Sequence, residues 1–140
     1  MNIKKILLAG TVAGVCSNLW GLFTCQWLFK WVYFIEPIGV YQKAMLNSEF
    51  PWLFSIGVGK IILAVILAFG YAIISKSLPG KTITKGLLFG VLIYFIGVLP
   101  IRFSDYMSLN LSAAIRIYWL VNDLLSFIIS AIAISLIYKE

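Results

Sequence analysis

The sequence predicts an all-α polytopic membrane protein, a four-transmembrane-helix bundle forming one domain over residues 1–140. Three observations carry this. The chain is 62% hydrophobic and only 11% charged, against about 45–50% and about 25% in a soluble domain. Four apolar runs approach the roughly 20 residues that a helix needs to cross a hydrocarbon core about 30 Å thick. The runs are continuously apolar rather than alternating at period two, which excludes barrel strands.

The first run, Ile6–Phe29, contains no charged residue. Lys4-Lys5 followed by Ile6-Leu7-Leu8-Ala9-Gly10 resembles the start of a secretory signal. The apolar stretch runs far past a signal core, and Val15 before Cys16 does not fit a lipoprotein cleavage box, so the segment reads as a true span. The second run, Trp52–Ser75, carries one charge, Lys60. The third, Gly86–Ile101, has none and is short for a bilayer. Its flanking Lys85 and Arg102 can snorkel to the two surfaces and lengthen it. The fourth, Ile117–Tyr138, carries one charge, Asp123.

The connections differ in character. Between the second and third runs, Pro79-Gly80 within Lys76–Lys81 enforces a turn. The longest connection covers residues 30–51. It opens with Trp31, Tyr33 and Phe34, a group suited to the headgroup layer. After Glu36-Pro37, Ile38, Tyr41 and Met45 fall near one helical face and suggest a short interfacial helix. Lys4, Lys5, Lys76, Lys81, Lys85 and Lys139 lie on one side of the four spans. Lys30, Lys43, Arg102 and Arg116 lie on the other. The larger set predicts both termini in the cytoplasm of a cell whose inner membrane holds the chain.

Composition also excludes. The net charge of +6 is too scattered for a nucleic-acid-binding patch. There is no histidine, which removes His-ligated haem and zinc and the usual general base. Gly57-Val58-Gly59-Lys60 superficially resembles a phosphate loop, but it lacks the first glycine and lies inside a span. No metal spacing, cofactor signature or nucleophile with a matching base appears, so the expectation is a non-enzyme without cofactors. Cys16 and Cys25 lie about 13.5 Å apart along one helix and cannot bridge there.

Helices in lipid approach through small residues. The first span offers Gly10 and Gly14, continuing to Ser17 and Gly21. The third offers Gly86 and Gly90, and the fourth Ser126 and Ser130 on one face. These are the predicted helix-packing positions, either within the monomer or between copies in a homo-oligomer. Lys5-Ile6-Leu7-Leu8-Ala9-Gly10 also aligns with Lys85-Gly86-Leu87-Leu88-Phe89-Gly90, as in a parallel two-hairpin repeat.

A central charge costs about 2.5–3.5 kcal/mol to insert and faces the bundle interior. Lys60 and Asp123 fall at depths about 3 Å apart on two helices running the same way. An ion pair between them is therefore predicted, with Asn18 and Asn122 completing a polar cluster. Arg102 and Arg116 read as interfacial anchors, although either could reach inward and compete with Lys60 for Asp123.

The Lys-Lys start, Asn18-Leu19-Trp20-Gly21, Lys85–Gly90 and Ile117-Tyr118-Trp119-Leu120-Val121-Asn122 together resemble small uncharacterised four-span bacterial integral membrane proteins, classed as domains of unknown function. The resemblance covers nearly the whole chain. It implies the four-span architecture and no activity. The chain is unlike the small multidrug exporters, whose first span carries a glutamate. The functional expectation is that the protein binds or passes a small solute or ion at Lys60, Asp123, Asn18 and Asn122, as a homo-oligomer in the lipid bilayer. The alternative is a structural or regulatory subunit that docks on other membrane proteins through its glycine stripes.

Overall fold

The computed structural model of the chain describes residues 2–35 and 50–139. Five α-helices follow in order: α1 (Ile3–Leu22), α2 (Phe50–Ile74), α3 (Thr82–Ile93), α4 (Leu99–Ser108) and α5 (Ala113–Ile137). A π-helical segment, Phe23–Leu28, prolongs α1, and another, Tyr94–Val98, joins α3 to α4. The result is four continuous helices long and apolar enough to cross a membrane: Ile3–Leu28, Phe54–Ile74, Thr82–Ser108 and Ala113–Ile137. No strand occurs among the described residues. Ile38, Tyr41 and Met45, and with them the proposed interfacial helix, lie outside the described residues, as do Lys43 and Glu49.

Local chemistry sets the helix ends. The Asn2 side chain accepts from the Lys5 amide at 3.2 Å and caps α1. The Ser112 hydroxyl does the same for α5 through the Ile115 amide. Between α2 and α3, Gly80 turns the chain with φ +94°, a conformation that costs glycine little. The third span does not end at Ile101, as the run of apolar residues had suggested. It continues through Arg102 and Asp105 to Ser108, because both charges find partners there. Pro100 has no amide hydrogen to offer the Ile96 carbonyl. The chain meets this defect with the π-helical segment just before it, in which the Leu99 amide bonds to the Tyr94 carbonyl.

Close helix contact runs through the small residues. A Cβ on Gly10 would lie 2.5 Å from Val65 Cα, and one on Gly14 would lie 2.7 Å from Ile61 Cα. The backbones of α1 and α2 therefore touch. The same device joins α3 to α5, where Gly86 faces Ile132 Cα and Gly90 faces Ile128 Cα, each at 2.9 Å from an added Cβ. Both glycine pairs are consumed inside the monomer and present no face to a second copy, which removes the docking argument built on them. Ser17 and Ser126 bond oxygen to oxygen at 2.9 Å and tie α1 to α5, and Ser130 is buried.

The helices are arranged with α1 between α2 and α5, and α5 between α1 and α3. The apolar core, including Ile6, Ala13, Ala68, Phe89 and Ile134, fills one half of the bundle. There α2 and α3 meet through Tyr71 and Phe89, with ring centroids 5.3 Å apart and an edge-to-face angle of 69°. Toward the other end the two helices leave a cleft between them.

Candidate functional site

The cleft encloses about 320 Å³. One wall is α2, with Lys60, Leu63 and Leu67. The other is the third span from the end of its π-helical segment onward, with Val98, Ile101 and Arg102. The floor is α5, with Asn122, Asp123, Ser126 and Ser130, joined by Ser17 of α1. The walls are largely apolar and the charges sit on the floor and rims. Asp123 lies ten residues into α5, roughly 15 Å along it.

The ion pair in the cleft is not the one the sequence suggested. Asp123 accepts from Arg102, with Oδ2 2.6 Å from Nε. Lys60 stands outside ion-pair distance of Asp123. Arg102 gives a second bond to Asp105, with Nη1–Oδ2 at 3.0 Å, and its guanidinium carbon lies 4.7 Å from the centre of the Trp119 ring. Two carboxylates and a ring face thus fix a planar, five-donor group that matches them better than an ammonium would. The pair forms because the helix continues six residues past Arg102, to Ser108, and Arg102 is turned toward α5. A straight count of apolar residues reads it as an anchor. The signal available in the sequence was Asp105, three residues on, which marks a helix continuing past Arg102.

Lys60 is placed by glycine. Its Nζ rests against Gly21, where an added Cβ would collide with it. Asn18, next to this contact, does not enter the cleft. Its Nδ2 donates to the carbonyls of Gly14 and Gly57, each at 3.0 Å, and pins α1 to α2. Asn122 lies in the cleft wall, and its Oδ1 is buried with no hydrogen-bond partner. Of the four predicted site residues the structure brings Lys60, Asp123 and Asn122 to one cavity and assigns Asn18 to helix packing. Ser17 and Arg102 join the set.

Above the cleft, toward the end where α5 begins, a second small cluster closes the bundle. Val32, Leu111, Ile115, Tyr118 and Trp119 pack together. The Cys25 thiol lies 3.1 Å from the Tyr118 hydroxyl, and Trp119 Nε1 donates to the Tyr33 hydroxyl at 3.3 Å. Tyr33 therefore points inward, whereas its neighbours Trp31 and Phe34 are exposed. Burial pushes the Tyr33 phenol up from its ordinary range, and the neighbouring Cys25 adds to the effect. Arg116 ties this end down by donating to the Leu109 carbonyl at 3.0 Å and stacking over Tyr106. The two cysteines are unbridged.

Among the described residues no group of three or more metal-ligating side chains occurs. No family model, no curated protein and no solved structure matches the chain.

Proposed function

We propose that this protein resides in the cytoplasmic membrane with both termini in the cytoplasm, and that it binds or passes a small anionic solute in the cleft lined by Lys60, Arg102 and Asp123. One observation carries the reading. Asp123 is matched by Arg102, and Arg102 by Asp105 as well, while Lys60 has no carboxylate within ion-pair distance among the described residues. The cleft thus holds a cation with no ion-pair partner among the described residues, inside a membrane-length helix where charge is expensive. A carboxylate or phosphate entering the cavity would meet the Lys60 ammonium, and Ser17, Ser126 and Ser130 could accept or donate beside it. The Gly21 notch holds the ammonium beside the cleft. A volume of about 320 Å³ falls at the small end of ligand pockets, which suits a solute of a few heavy atoms. The orientation rests on the excess of lysines at the end carrying the α2–α3 turn.

The test uses the purified protein in neutral detergent and in liposomes, with acetate, inorganic phosphate and chloride as probes. At least one anion should raise the thermal midpoint and show protein-dependent flux. Lys60→Met should abolish both effects while the protein stays folded. If none of the anions stabilises the protein, or if Lys60→Met responds like the parent, the reading falls.

A further inference from the structure

At the opposite end of the bundle the α2–α3 turn and the last residues of α5 enclose a second, separate cavity of about 550 Å³. Lys81, Lys85 and Lys139 line it, together with the hydroxyl-bearing Ser135 and Tyr138. No Asp or Glu stands among its described lining residues. Lys85 is held in place by a 2.7 Å bond from its Nζ to the Ser75 carbonyl, so one ammonium is fixed before any ligand arrives. Thr82, the first residue of α3, lies in the same wall. That helix start has neither a capping side chain nor an acidic residue in its first turn. Its free amides add to the positive field of the three lysines.

Three ammonium groups around one cavity, with hydroxyls as further donors, match the two non-bridging oxygens and the net negative charge of an anionic phosphodiester headgroup. The cavity lies where the spanning helices end, and Ile73 and Ile83, near it in sequence on α2 and α3, are exposed apolar side chains. Basic pockets between helix ends are suited to anionic lipid headgroups. We infer that this cavity is a phosphate-binding site for the headgroup of an anionic phospholipid. The inference is independent of any solute in the cleft.

The test keeps Lys85, because of its structural bond, and changes Lys81 and Lys139, which are exposed. The full-length protein in zwitterionic phosphatidylcholine micelles is titrated with phosphatidylglycerol, and bound lipid is counted by native mass spectrometry. The parent should retain phosphatidylglycerol in preference to phosphatidylcholine. Affinity should fall about fivefold for each lysine changed to Gln, and Lys81→Arg with Lys139→Arg should restore it. Lys60→Met should leave the titration unchanged, which separates this site from the cleft. A parallel arm adds inorganic phosphate without anionic lipid. Competition by millimolar phosphate alone, with no lipid preference, would overturn the lipid source. Equal retention of both lipids, or unchanged affinity in the Gln variants, would overturn the site.

Discussion

Arg102 and Asp123 form the innermost ion pair of the described structure, at 2.6 Å across the cleft between the third span and α5. Asp105 holds the same guanidinium from its other side at 3.0 Å. Removing Asp123 would leave Arg102 one remaining acid, whereas removing Arg102 would strand Asp123. Arg102→Met should therefore destabilise the folded protein more than Asp123→Asn does, by up to about 3 kcal/mol. The Arg102→Met, Asp123→Leu double change should cost less than the sum of its parts. The corresponding cycle between Lys60 and Asp123 should show the smaller coupling. Unfolding in mixed detergent gives the comparison, and a larger Lys60–Asp123 coupling would refute the assigned pair.

The glycines divide into two kinds. Gly10→Ala and Gly90→Ala place a methyl group against facing backbone, and each should cost about 1–3 kcal/mol. Gly59→Ala and Gly97→Ala meet nothing within 4 Å and should be neutral or slightly stabilising, since alanine is the better helix former. Thermal midpoints in one detergent would separate the groups. Equal losses in both would mean that the helices do not pack at these positions.

Gly21→Ala is a distinct case, because the added methyl group meets only the flexible end of Lys60. It should leave stability within about 0.5 kcal/mol of the parent and displace the ammonium toward the cleft. Altered affinity for the anion that stabilises the parent, at unchanged thermal midpoint, is the expected result. A large loss of stability would show that the notch is part of the packing instead.

Topology can be read by single cysteines in a Cys16→Ala, Cys25→Ser background. Asn2→Cys and Ser77→Cys should react with an impermeant maleimide only after the membrane is opened. Asn110→Cys, in the short segment between α4 and α5, should react in intact cells. Labelling of Ser77→Cys from outside would reverse the orientation.

The raised Tyr33 phenol gives an alkaline signature. Its proton is held in the folded state beyond the ordinary value of 10.0, while the unfolded chain releases it near that value. Stability is complete below pH 10 and is lost progressively as pH rises above it. Tyr33→Phe should flatten this part of the profile. An unchanged slope in the variant would assign the loss to another group.

Continuous apolarity is a local property, and it was sufficient for the number of spans and for the all-α fold. The spacing of Gly10 with Gly14 and of Gly86 with Gly90 was likewise sufficient to mark the seams, because a four-residue step keeps small residues on one helix face. Two charges inside long apolar runs also marked the interior, since lipid does not tolerate them. The partner of Asp123 was a different kind of question. It depends on how each helix is rotated about its axis. The π-helical segment Tyr94–Val98 adds about one residue to the helix and so turns everything beyond it by about 100°. That turn goes with Pro100 and brings Arg102 to α5, at a site where depth arithmetic alone had put Lys60. The sequence by itself therefore determined four membrane-length helices, their glycine seams and the presence of half-buried charge within the spans. Only the tertiary structure decided which cation meets Asp123, which is left without a carboxylate among the described residues, and that the cleft opens between α2 and the third span, because rotation and register are set by packing across helices and not by any one segment.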